Sequence, residues 1–182
     1  MALIPARILP VLAAVGLCAA EFTGGLQLGP ALPLGDLGPL TGRQLGAGAV
    51  LFGLYEFDEG QCYRLRLDAA TASGRARSQP SAARVTAVTA SLGVDELFYL
   101  EGRRDRGIYL GIGPNLTRNR LTLAGAEYVK FTPGLAVSVG LQLNRHWQLE
   151  ATARLSRFKG SLADGAINAS MIPLLLVIGY AL

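Results

Sequence analysis

Two alternations of apolar and polar residues meet at a short turn, and they set the reading of this chain. Leu135, Val137, Val139, Leu141 and Leu143 are apolar, while Ala136, Ser138, Gly140 and Gln142 between them are small or polar. Asn144-Arg145-His146 interrupts the rhythm. It restarts with Trp147, Leu149, Ala151, Ala153 and Leu155 against Gln148, Glu150, Thr152, Arg154 and Ser156. A period of two puts each set on one face of a strand. Residues 135–158 therefore predict a hairpin with one greasy and one polar face.

The rhythm recurs along the chain. It predicts further strands at 22–32, 44–57, 62–70, 84–100, 107–116 and 171–182, making eight with the hairpin. In the second strand Leu45, Ala47, Ala49, Leu51 and Tyr55 form the outward set, with Val50, Phe52 and Leu54 competing for that face. The third separates Tyr63, Leu65, Leu67 and Ala69 from Arg64, Arg66 and Asp68. The fifth separates Ile108, Leu110 and Ile112 from Tyr109, Gly111 and Gly113. The last places Ile172, Leu174, Leu176, Ile178, Tyr180 and Leu182 outward. Its other face is also mostly apolar, so a central strand of a soluble sheet or a short helix stays open there.

The connections alternate. Segments 33–43, 71–83, 117–131 and 159–170 read as long loops rich in Gly, Pro or charge, and 58–60, 101–106 and 144–146 read as short turns. Long outside loops and short periplasmic turns are the mark of an up-and-down barrel in an outer membrane. An even strand number puts both termini on the periplasmic side. The expected fold is therefore all-β, an eight-stranded antiparallel up-and-down transmembrane β-barrel.

The faces decide between lipid and water outside. A soluble barrel of this size buries its apolar set and shows polar residues. Here the polar set mixes Arg64, Arg66, Asp68, Glu150 and Arg154 with Gly111, Gly113, Ala136, Ser138 and Gly140. Small residues and charges of both signs can fill a narrow bore, but would make an odd water-facing surface. The apolar set carries almost no charge, as lipid contact requires, since a lipid-facing Arg or Lys at mid-bilayer costs about 2–4 kcal/mol. The apolar set is accordingly expected outside.

Composition sharpens the picture at few points. With 182 residues the chain is one domain's worth, and its net charge of +4 is small and scattered, which argues against nucleic acid. Residues 1–20 read as a signal peptide: Arg7 supplies a positive charge, Ile8 to Leu17 a short apolar run, and Cys18-Ala19-Ala20 the small residues before a cut ahead of Glu21. About ten apolar residues cannot span a bilayer, which takes roughly 20. The barrel domain is then 21–182. After cleavage Cys62 stands alone, so no internal disulfide, metal site or cofactor is expected.

At the strand, turn and strand start from Gly140 through Asn144, Arg145, His146 and Trp147 to Glu150, and at the closing Ile178-Gly179-Tyr180-Ala181-Leu182, the chain resembles the small eight-stranded outer-membrane β-barrel proteins of Gram-negative bacteria, the OmpA/OmpX-like and opacity-like group. Gly107–Gly113 and Arg64–Asp68 extend the resemblance more loosely. It implies that fold, an outer-membrane location and assembly by the barrel-assembly machinery. It transfers no activity. Tyr180 matches the family's aromatic two positions before the end, while Leu182 stands where a Phe is usual.

Five residues, Arg64, Arg66, Asp68, Glu150 and Arg154, are candidates for an interior ion-pair network that plugs the bore, the alternative being solvated charges at a wet mouth. Tyr55, Phe57, Tyr63, Trp147, Phe158 and Tyr180 are candidates for aromatic girdles. Arg75, Arg77, Arg118 and Arg120, expected in outside loops, could grip lipopolysaccharide phosphates or simply be solvated. His146 could serve a lipid-modifying enzyme as base, but its place in a periplasmic turn beside Trp147 favours an interfacial role. The reading is a monomeric, non-enzymatic barrel with a structural or surface-interaction role, surrounded by outer-membrane lipids. A narrow channel, an outer-membrane lipid-modifying enzyme and a soluble lipocalin-like carrier are the alternatives.

Overall fold

The computed structural model describes residues 22–58, 60–75, 84–123, 125–162 and 165–182, with the side chains at 22, 37, 40 and 157–171 left aside. The expected signal segment lies outside the described residues. Eight antiparallel strands close into a ring in chain order. They are β1 (Phe22–Leu34), β2 (Gly46–Asp58), β3 (Gln61–Arg75), β4 (Arg84–Tyr99), β5 (Gly107–Leu123), β6 (Ala126–Gln142), β7 (Trp147–Leu162) and β8 (Gly165–Ala181), with a one-turn helix α1 (Leu37–Leu40) between β1 and β2. Both ends of the barrel domain lie at one end of the cylinder, here the terminus end, and α1 at the other, the distal end.

Pairing β1 with β8 closes the ring, with Leu26 opposite Tyr180 and Leu32 opposite Leu174. Gly29 sits at that seam because nothing larger fits: a Cβ there would come 1.9 Å from the Leu176 carbonyl oxygen. Every backbone donor and acceptor needs a partner in lipid, so closure removes the edges that an open sheet would leave bare.

The strand phases follow the alternation. Leu65, Leu67, Leu110, Ile112, Val137, Val139, Leu149, Leu176 and Ile178 are exposed on the outside, while Arg64, Arg66, Asp68, Tyr109, Ser138, Glu150 and Arg154 are buried inside. The ambiguity in β2 resolves the same way: Leu51 faces out and Val50, Phe52 and Leu54 are buried. Apolar residues therefore clothe the cylinder along most of its height.

The strands differ from expectation in length. β3 runs to Arg75, β5 to Leu123, and β6 begins at Ala126, so the long loop expected at 117–131 is instead two strands joined at 124–125. Likewise β7 and β8 occupy most of 159–170. Strands of 13–17 residues exceed the 9–11 that span a bilayer, so they project past the apolar belt at the distal end. There the two faces exchange character. Val85, Ala87, Leu121 and Leu123 are buried inside, and Arg84, Arg118 and Arg120 stand exposed outside. That reversal is why the segment read as polar loop: its alternation continues, but with the opposite sign.

Candidate functional site

The bore is layered. Near the terminus end Phe52, Leu54, Cys62, Leu97, Tyr99, Tyr109 and Ala181 form a buried apolar layer. A second apolar cluster, Ala31, Val50, Ala70, Leu175 and Val177, lies towards the distal end on the β8–β1–β2–β3 side. Inside this apolar lining runs the charged network, on inward positions of β3, β4 and β7.

The network is one alternating chain of charges. Glu150 Oε2 pairs with Arg64, whose Nη2 reaches Asp95 Oδ2 at 2.8 Å. Arg66 Nη1 lies 3.2 Å from the same Asp95 oxygen, and its Nε lies 3.0 Å from Asp68 Oδ2. Arg154 Nη1 completes the run, 2.6 Å from Asp68 Oδ1. Positive and negative members are equal in number, so the buried cluster is neutral as a whole. Its two ends are on β7 and its middle on β3 and β4. In a ring of eight, β3 and β7 face each other, so Glu150–Arg64 and Asp68–Arg154 each tie opposite walls across the bore. Charges can be this deeply buried only because they are paired.

Hydrogen bonds hold the Glu150 end in place. The Tyr109 hydroxyl donates to Glu150 Oε2 at 2.6 Å, with Gln148 Oε1 3.2 Å away, and the Thr152 hydroxyl donates to the other Glu150 oxygen. Arg64 also donates to the Ser138 hydroxyl at 3.3 Å. Tyr109 can cross the bore because its cross-strand neighbour is Gly140; a Cβ there would come 2.1 Å from the ring. Arg66 and Arg154, by contrast, reach their carboxylates within ion-pair distance but without hydrogen-bond alignment. Above them a polar layer continues, with the Ser91 and Thr117 hydroxyls 2.6 Å apart and Asn119 Nδ2 donating to Thr132 at 2.7 Å.

All five expected interior residues are thus brought together. Asp95, Tyr109, Ser138 and Thr152 complete the cluster and were not singled out from the sequence. Asp95 was legible in principle: Leu92, Val94 and Phe98 alternate with Ser91, Gly93 and Asp95, which puts this carboxylate on the small, polar face.

At the terminus end a vestibule of about 890 Å³ opens below the network, lined among others by Glu56, Arg104, Gln142, His146 and Gln148. Arg104 spans it, 3.4 Å from Glu56 Oε2 and bonded to the Thr23 hydroxyl. His146 is committed to closing the barrel: its Nδ1 is 3.0 Å from the Ala181 carbonyl oxygen and its ring stacks on Tyr180. Asn144 Oδ1 accepts from the His146 and Trp147 backbone amides, which fixes the turn.

Outside, Tyr55, Phe57, Tyr63, Trp147 and Tyr180 sit towards the terminus end, joined by Phe98. Phe57 stacks on Tyr63 at 4.4 Å and Trp147 meets Tyr180 edge-on at 5.1 Å. The Phe158 side chain lies outside the described ones. Of the basic residues expected in loops, Arg75 ends β3 and Arg118 and Arg120 lie within β5, all exposed on strands, which corrects their placement; Arg77 lies outside the described residues. Arg120 pairs with Glu127 at 2.6 Å in exposed surroundings. The polarity that suggested loops is that of strands standing beyond the apolar belt.

A closed ring with an apolar exterior belt and a paired, charged bore defines the class: an eight-stranded up-and-down transmembrane β-barrel. Its fold is similar to solved structures of small barrels. Neisserial surface protein A superposes with a TM-score of 0.56 at 18% identity, covering 88% of this chain and 96% of that one. The outer membrane protein OprG from Pseudomonas aeruginosa gives 0.54 at 15%, covering 90% and 97%. Ail, the attachment invasion locus protein of Yersinia pestis, solved with the heparin analogue sucrose octasulfate, gives 0.51 at 14%, covering 89% and 99%. No family model and no curated protein sequence matches the chain.

Proposed function

We propose that this chain is an integral outer-membrane β-barrel of a Gram-negative bacterium, monomeric, with a closed bore and a structural or surface-interaction role in place of catalysis. The observation that carries the reading is the pair of ties between β3 and β7, which fill the bore of a cylinder whose outside is made for lipid. The terminus end then faces the periplasm and the distal end the outside. The folds it resembles include Neisserial surface protein A and the attachment invasion locus protein Ail, which supports a role at the cell surface.

Three tests bear on this reading. Carbonate washing should leave the protein in the membrane fraction with heat-modifiable gel mobility; release into the wash would favour a soluble carrier. In planar bilayers the purified barrel should give no conductance steps, and regular steps would favour the narrow channel. A lipid-modifying activity lost on changing His146 would favour the enzyme.

The exposed arginines beyond the belt supply a partner. Arg118 and Arg120 face outward at the level where the apolar surface ends, opposite the exposed Phe131 and Val129 on β6, and Arg75 is exposed at the distal end of β3. Guanidinium groups there match the phosphates of lipopolysaccharide in the outer leaflet. Arg118→Glu with Arg120→Glu should lower retention of lipopolysaccharide on the purified barrel about tenfold, measured against soluble sucrose octasulfate as a competing polyanion. Unchanged retention would remove these residues from the interface. Assembly should pass through the barrel-assembly machinery, with the closing strand to Leu182 as its signal.

A further inference from the structure

One residue breaks the outer belt. From the terminus end the outward positions run Leu100, just past β4, then Phe98, Glu96, Val94 and Leu92 on the strand, and all but Glu96 are exposed apolar side chains. Its chain neighbours Asp95 and Leu97 point inward and are buried. Across the sheet Glu96 is opposite Tyr63 on β3 and Ile112 on β5, both exposed. It makes no ion pair within the protein among the described residues, unlike Glu56, Asp68, Asp95, Glu127 and Glu150. A charge on the lipid face is costly, though less for Glu than for Lys or Arg, and an intramembrane ionisable group invites a functional partner.

We propose that Glu96 binds the primary ammonium of an ethanolamine-type phospholipid headgroup in the leaflet at the terminus end. Depth supports this. Two residues along a strand climb about 5 Å through the bilayer, from a rise of about 3.4 Å each and a tilt of about 40°. Glu96 therefore lies about one such step above Phe98, in the girdle with Tyr63 and Phe57, and its flexible side chain reaches the headgroup boundary. The surroundings choose the sign. Tyr63 lies opposite on β3 and Phe98 two residues along β4, and aromatic rings and carboxylate both attract a cation. A primary ammonium also donates N–H hydrogens to the carboxylate, which a trimethylated headgroup cannot. A protein partner is the less favoured occupant, because apart from the Tyr63 hydroxyl the outward neighbours Leu65, Val94, Leu110 and Ile112 are all apolar.

The inference goes beyond the proposed surface role and depends on the barrel standing in a membrane, so the test reads both. The full mature barrel and its Glu96→Gln and Glu96→Asp variants are purified in detergent and checked for heat-modifiable mobility. Each is then titrated with dioleoyl phosphatidylethanolamine, phosphatidylcholine and phosphatidylglycerol and analysed by native mass spectrometry. The wild type should retain the ethanolamine lipid about tenfold over the other two. Glu96→Gln should bring that ratio within about twofold of unity, with Glu96→Asp between them. Equal retention of the three lipids by the wild type, or a preference that survives Glu96→Gln, would overturn the proposal. So would a Glu96-dependent cross-link to a second protein without lipid preference. Absence of heat-modifiable mobility would instead strike the membrane-barrel reading itself.

Discussion

Glu150 shows how single side chains hold the bore. One of its oxygens takes Arg64 and the Tyr109 hydroxyl, and the other takes Thr152. Its charge ends the alternating chain, so neutralising it leaves an excess buried arginine. Glu150→Gln should cost about 3–5 kcal/mol, the cost of breaking one side of a buried pair, read from urea unfolding in lipid vesicles. Gly140 acts by what it lacks. Gly140→Val would drive a side chain into the Tyr109 ring and detach its hydroxyl from Glu150, lowering stability by about 1–3 kcal/mol in the same assay. Both residues were legible as inward-facing. That Tyr109 lies over Gly140 was not, because it follows only from the register of the β5–β6 hairpin, which pairs these two distant positions.

At the scale of the strand, β5 carries two chemistries in one alternation. From Ile108 to Leu116 its outward residues are apolar; from Arg118 onward they are polar, and Leu121 and Leu123 take the inside. The lower part meets lipid and the upper part water, so the apolar set moves from the outer to the inner face where the belt ends. Leu110→Arg should destabilise the barrel by about 2–4 kcal/mol, whereas Thr122→Arg should stay within about 0.5 kcal/mol. Unfolding in vesicles of both variants locates the boundary. Periodicity found every strand but cut β3, β5, β6, β7 and β8 short at the distal end; in β5 the pattern tracked by apolar residues on one face stops where those residues change faces.

For the whole molecule, closure is what converts paired charges into a plug. Arg64 and Glu150 stand on opposite walls, as do Asp68 and Arg154, so each pair resists opening of the cylinder. Removing one carboxylate from each tie, with Asp68→Ala and Glu150→Ala together, should bring conductance steps to a barrel that otherwise shows none. Heat-modifiable mobility would verify that the variant remains closed into a ring. The same change should lower stability by more than Glu150→Gln alone, since two buried arginines lose their partners.

The amino-acid order by itself determined the strand count, the outward and inward sets, and the presence of charges on the inner face. A period of two is a local property, and the side chains declare it without reference to the rest of the chain. Tertiary structure alone decided which charges meet. Glu150 and Arg64 are far apart in sequence, and only bending the sheet until β8 meets β1 sets them across one narrow bore. It also decided that residues 117–123 and 126–131 are strand, since the outward polarity of β5 there makes sense only once the height of the apolar belt is known.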